Sequence, residues 1–121
     1  MISFEEFKKV ELKIGKILEA ERVEGSEKLL KLMVDFGPVS AEASPRQGGD
    51  IRQVVSGIAK SYEPEKLIDK EFLFTTNLEP RSIMGLESQA MILATIKKGR
   101  KGDEVILMKP VKKVKSGSEL G

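Results

Sequence analysis

Apolar residues in this chain recur mostly at every second position, the period of strands that bury one face. Leu30, Leu32, Val34 and Phe36 share one side of such a segment, and Lys31, Met33 and Asp35 share the other. Val10, Leu12 and Ile14 alternate with Glu11 and Lys13 and predict a half-buried first strand. Gly15 interrupts it, an expected bulge or bend before residues 16–21 continue the strand. Residues 51–59 predict a third strand, whose adjacent pair Val54-Val55 leaves the inward face ambiguous. Residues 71–78 and 90–96 predict a fourth and a fifth. Gly99 and Gly102 bound a turn, and a late strand over 105–108 is ended by Pro110.

Helical signals are confined to two short places. Ser3 and Glu6 have capping-box spacing and Ile2 and Phe7 the spacing of a hydrophobic staple, so a short helix opens the chain. Pro64 suits the first position of a second helix over residues 65–68, where its missing N–H costs nothing. Residues 37–50 hold three glycines, two prolines and two serines and predict a long, mobile loop. The resulting order, β-β-β-α-β-β, is that of an OB-fold: an all-β barrel with one short helix. Such barrels bind oligonucleotides on the strand 2–3 face and with the loops after strands 1 and 4. Neither an internal repeat nor a second domain is visible, so residues 1–121 read as one domain.

Residues 77–91, Asn-Leu-Glu-Pro-Arg-Ser-Ile-Met-Gly-Leu-Glu-Ser-Gln-Ala-Met, fall in the loop after strand 4. Pro80 and Gly85 punctuate them as a connection. Two methionines, one arginine and the neutral Ser88-Gln89 pair suit a surface that meets a partly apolar, partly anionic partner. Equally, Ile83, Met84 and Leu86 could plug the end of a barrel.

Composition narrows the chemistry. There is no cysteine and no histidine, which excludes disulfides, thiolate zinc sites and histidine-based catalysis. Nineteen acidic residues permit acid–base work in principle, but no pair stands beside a plausible nucleophile or metal set, so a non-enzyme without cofactor or metal is expected. The start lacks the basic and long apolar regions of a signal peptide, and no apolar run approaches a membrane span; a cytoplasmic protein without membrane contact is expected. The net charge of +2 is unevenly placed. Residues 97–121 carry eight basic groups against three acidic ones, an excess that favours an anionic partner or simply a solvated lysine-rich end.

Several ordered blocks resemble the tRNA-binding domain family, which includes free-standing tRNA-binding proteins and the C-terminal domain or β subunit of methionyl-tRNA synthetases. They are residues 10–17 (Val-Glu-Leu-Lys-Ile-Gly-Lys-Ile), 27–32 (Glu-Lys-Leu-Leu-Lys-Leu) and 52–59 (Arg-Gln-Val-Val-Ser-Gly-Ile-Ala). The similarity continues through 62–65 (Tyr-Glu-Pro-Glu), 77–81 (Asn-Leu-Glu-Pro-Arg) and 84–91 (Met-Gly-Leu-Glu-Ser-Gln-Ala-Met). The resemblance spans roughly the whole chain and implies an OB-fold with extra C-terminal strands. It further implies a symmetric homodimer, with residues 99–121 as a dimerisation extension and 105–120 contributing to the interface. The 37–50 loop is longer than this family leads one to expect.

On this reading the partners are tRNA, a second copy of the chain and a methionyl-tRNA synthetase catalytic subunit. Lys31, Arg52, Arg81, Lys97 and Lys98 would contact phosphates, and Met84, Ser88, Gln89 and Met91 sugars or an exposed base. Asn77 joins the set through its motif. The bland readings are an exposed strand lysine for Lys31, a partner of Asp50 or Asp35 for Arg52, and a brace to Glu79 or Glu87 for Arg81. Asn77 would be a turn-former. All five phenylalanines have plausible core positions, which favours structured RNA over stacked single strands. An export chaperone of the CsaA type, binding unfolded polypeptides with the same fold, is the alternative.

Overall fold

The structure, a computed structural model, describes residues 1–38 and 49–121. Helix α1 (Phe4–Phe7) is capped as its spacing predicts, the Ser3 hydroxyl oxygen accepting from the Glu6 backbone N–H at 3.1 Å. Ile2 stays exposed, so the staple buries nothing. The strands are β1 (Leu12–Arg22), β2 (Leu30–Pro38), β3 (Gly49–Ser56), β4 (Glu71–Thr75), β5 (Arg81–Ile83), β6 (Leu86–Ser88), β7 (Met91–Ile92), β8 (Ala94–Lys97) and β9 (Glu104–Leu107). The helix expected after Pro64 is a single 3-10 turn, Pro64–Lys66.

β1 is the hinge of the architecture. Its first half pairs with β4 and its second half with β2, giving the antiparallel order β3-β2-β1-β4-β7. A bulge at Leu18 lets one strand serve both halves: the register passes from Ile17↔Val34 directly to Glu19↔Met33. The bulge expected at Gly15 is therefore three residues later. Gly15 has a different task, because a Cβ there would lie 2.5 Å from Val34 Cγ1 and 2.6 Å from Phe36 Cε1. Only a bare backbone permits that approach. The sheet curls into a half-barrel, consistent with the expected OB-like barrel, and its edges meet where the Gln89 N–H donates to the Gln53 carbonyl at 2.8 Å.

The core is the inner face of this curl. Leu30, Leu32, Val34 and Phe36 are all buried, as their alternation predicts, and Phe36 packs edge-to-face on Phe74 with centroids 5.1 Å apart. Phe72 joins them. Phe4 and Phe7 do not: Phe4 is exposed beneath the Lys8 ammonium and Phe7 is half-buried outside the core cluster, so the core placement expected of all five phenylalanines fails at both. The predicted fifth strand breaks at Leu93 into β7 and β8, and β8 leaves the sheet to pair with β9. That ribbon is anchored by buried Leu107, whose N–H donates to the Tyr62 hydroxyl at 3.0 Å. Beyond it, the chain returns along β1, with Ile14 and Ser118 joined at 2.9 Å and Leu120 and Leu12 at 3.0 Å.

The loop expected over 37–50 falls mainly outside the described residues. Gly37 and Pro38 end β2 and Gly49 and Asp50 begin β3, so those four positions are strand. Among the described residues no helix is long and apolar enough to cross a membrane.

Candidate nucleic-acid interface

The run 77–91 is not an open loop. β5 and β6 pair through Arg81↔Ser88, Ser82↔Glu87 and Ile83↔Leu86, with Met84 and Gly85 as a two-residue turn. Both turn residues have positive φ, 51° and 79°. This is the mirror-image turn whose twist matches a hairpin. Gly85 adopts it freely, whereas Met84 does so at a cost of about 1–2 kcal/mol.

This small hairpin lies over the outer face of β3 and explains the Val54-Val55 pair. Val54 points into the core at 0% exposure, and Val55, on the opposite face, is also buried at 5%. Ser88 makes the attachment. Its hydroxyl accepts from the Val55 N–H at 3.0 Å and donates to the Ala90 carbonyl at 3.0 Å. Beside it, Gln89 Oε1 accepts from the Gln53 N–H at 2.9 Å, and Gln53 Nε2 donates to the Glu87 carbonyl at 2.9 Å. Side-chain amides and a hydroxyl thus satisfy edge groups that would otherwise lie buried without partners.

Between the hairpin and β3 is an apolar cleft of about 70 Å³, lined by Val55, Leu78, Ile83, Ala90, Met91 and Ile92, with Ser56, Glu79, Arg81 and Ser88 as its polar members. Arg81 makes no ion pair among the described residues, so the bracing contact to Glu79 or Glu87 does not form. Met84 sits at the tip with 61% of its surface exposed. It does not plug the barrel. From the tip it reaches the turn between β1 and β2, where it borders a second groove of about 440 Å³ with Glu21, Arg22, Val23, Lys31 and Leu86. Lys31 Nζ is 2.6 Å from the Glu21 carboxylate there.

The remaining expected contacts are placed elsewhere. Arg52 clasps Asp50 through Nε (3.0 Å) and Nη2 (2.9 Å), donates from Nη1 to the Thr76 carbonyl, and sits over the Phe36 ring. All three guanidinium nitrogens are engaged internally. Asn77 is a tie rather than a left-handed turn residue: Oδ1 accepts from the Glu11 N–H at 2.8 Å and Nδ2 donates to the Lys9 carbonyl at 2.6 Å. Glu11, beside it, accepts from the Thr76 hydroxyl. That hydrogen bond, with help from the Lys13 charge, outweighs burial and holds the Glu11 carboxyl below its ordinary pKa. Lys97 and Lys98 lie on β8 and just past it, lining neither cavity, and Lys98 is paired with Asp103 at 3.0 Å.

Of the ten expected site residues, the fold therefore gathers Arg81, Ser88 and Met91 around the cleft and Lys31 and Met84 around the second groove, with Gln89 beside Ser88 in the fastening. Leu78, Val55 and Ser56 line the cleft and were not anticipated. The Val54-Val55 pair was the available signal, since two adjacent buried residues in a strand require cover on both faces. Among the described residues no group of three or more acidic side chains is placed to hold a metal ion.

Residues 12–119 match the family model described as "Putative tRNA binding domain". The methionine–tRNA ligase of Methanoregula boonei is 45% identical over 120 residues, which is 99% of this chain and 16% of that protein. The chain thus spans about a sixth of the curated relatives it matches. Among solved structures, a MetRS-related protein from Pyrococcus horikoshii superposes with a TM-score of 0.80 at 32% identity, covering 100% of this chain and 98% of that one. The chaperone CsaA of Bacillus anthracis superposes with a TM-score of 0.79 at 26% identity, covering 100% and 99%.

Proposed function

This chain belongs to the tRNA-binding domain family, and on that premise we propose that it is a structure-specific tRNA-binding module that acts without catalysis through the β5–β6 hairpin surface. It works in the cytoplasm, as a free-standing module or as the accessory subunit of a methionyl-tRNA synthetase. One observation carries the placement: the hairpin is fastened rigidly by Ser88 and Gln89, yet it turns outward an unpaired Arg81 and the exposed Met84 and Met91. RNA recognition relies on shape, unpaired bases and the 2′-hydroxyl. A cation on a fastened hairpin beside an apolar cleft offers a phosphate contact and a resting place for an unstacked base at one spot. The scarcity of exposed aromatic rings favours a folded RNA over an extended strand.

The barrel is an OB-fold, and the protein is a homodimer. Exposed Ile96, Ile106 and Met108 on and beside the β8–β9 ribbon supply apolar surface for a symmetric contact. Light scattering at micromolar concentration tests this; a monomer would refute it. Function is tested by titration with folded tRNA, unfolded tRNA and single-stranded RNA at two salt concentrations. Folded tRNA should bind tightest, and equal binding of all three would overturn structure specificity.

A second reading rests on the apolar lining of the cleft, which also suits a side chain of an unfolded polypeptide, as an export chaperone of the CsaA type would require. Competition decides between them. An unfolded polypeptide that displaces tRNA from the hairpin, and binds more tightly than tRNA, would favour the chaperone.

A further inference from the structure

The C-terminal lysines build a second site on another part of the barrel. Residues 109–116 form a strap running from β9 back to β1. It is tied by the Leu73 N–H to the Met108 carbonyl (2.9 Å), by the Val114 N–H to Glu71 Oε1 (3.3 Å), and by the Gly117 N–H to the Ile14 carbonyl (2.7 Å). With the start of β4 it encloses two open grooves, of about 410 and 660 Å³, which share Asp69, Glu71 and Lys113. Six lysines line them: Lys16, Lys70, Lys109, Lys112, Lys113 and Lys115. Among the described residues the only carboxylates in the lining are Asp69 and Glu71, and Glu71 is partly engaged by the strap. None of the six lysines makes an ion pair among the described residues.

Lys16 and Lys70 are remote in sequence from the C-terminal cluster, so the fold has concentrated charge that composition only hinted at. Confined positive charge of this kind repels itself and raises the local concentration of anions. Two adjoining grooves suit a run of phosphates better than a single anion. No lining residue is common to these grooves and the hairpin cleft.

We propose that the strap groove is a second binding site, for the sugar–phosphate backbone of a folded RNA, so that one chain grips its RNA at two separate places. This rests on the RNA-binding reading of the hairpin and adds a partner surface to it. The two sites make different demands. The hairpin contributes few charges and an apolar cleft, whereas the strap contributes mostly counterion release.

The test is the salt dependence of tRNA binding by the full chain carrying Lys109→Ala, Lys112→Ala, Lys113→Ala and Lys115→Ala together, with Lys16→Gln/Lys70→Gln as a second variant on other elements. Removing one lysine–phosphate pair flattens the log–log slope by about 0.7 to 0.9, so removing three or four flattens it by about 2.1 to 3.6. Over a fourfold rise in salt, wild type should then lose roughly 18- to 150-fold more affinity than the strap variant. Arg81→Ala should change the slope by no more than about one. Strap lysines replaced by arginine should keep the wild-type slope. A wild type that binds no RNA overturns the hairpin reading and the strap together. A wild type that binds, with both lysine variants folded and their slopes unchanged, overturns the strap alone, as would variants that fall apart into monomers while slopes stay fixed.

Discussion

The Ser88 hydroxyl takes the Val55 N–H in a 3.0 Å hydrogen bond, and this bond fixes the β5–β6 hairpin over the outer face of β3. A residue with the look of a ligand-binding serine is thus a buried fastening. Ser88→Ala should leave the Val55 N–H without a partner and lower stability by about 1 to 3 kcal/mol. Urea unfolding measures this. If stability were unchanged and only tRNA affinity fell, the hydroxyl would be acting on the ligand instead.

Arg81 and Met84 should behave in the opposite way. Met84 is exposed at the turn, so Met84→Ala leaves no cavity and should change stability by less than about 0.5 kcal/mol. A buried plug would cost about 2 to 5 kcal/mol. Arg81→Ala should weaken tRNA binding by about 1.5 to 3 kcal/mol, the range of a charge-assisted hydrogen bond, with no change in Tm. Parallel melting curves and titrations of both variants check the pair.

Arg52 is expected to matter for the fold. Its guanidinium joins Asp50 on β3 to the carbonyl of Thr76, just past β4. Arg52→Ala should cost about 1.5 to 3 kcal/mol of stability, and Arg52→Lys should recover little of it because an ammonium cannot reproduce the fork. A variant that melts like wild type but binds tRNA poorly would return Arg52 to the ligand-binding set.

The Glu11 carboxyl predicts an acid-side effect. Its folded pKa is lowered, chiefly by the Thr76 hydroxyl, so the unfolded chain binds protons more readily as pH falls. The stabilisation is complete above the unfolded value of about 4.3 and is lost as pH drops through the lower folded value. Glu11→Gln should therefore lower Tm near neutral pH, by an amount that shrinks as pH falls below the unfolded value. A Tm difference independent of pH would remove the carboxylate from the account.

The half-barrel was largely legible because its signals are local. Leu30, Leu32, Val34 and Phe36 alternate with polar residues, and any strand formed there must bury that set. The Ser3 cap needs only residues three apart. The hairpin was less legible: its strands are three residues each, and its turn is Met84-Gly85 in place of the Asn-Gly or Asp-Gly that would announce a left-handed pair. Gly15 looked like a bulge because a glycine in a strand has two explanations, a break in pairing and a close approach, and local sequence does not separate them.

By itself the sequence determined strands β1 to β4, the late strand β9, the absence of thiol and imidazole chemistry, and the family. Period-two burial and residue identity are properties of short segments, and they survive whatever the rest of the chain does. Only tertiary structure decided which polar residues are tied internally and which stay exposed. Ser88 finds its partner 33 residues away and Arg52 one of its own 24 away, distances over which the chain path, and not the local pattern, sets what a side chain meets. The same closure brings Lys16 and Lys70 beside the strap, making one basic groove from lysines that look scattered along the chain.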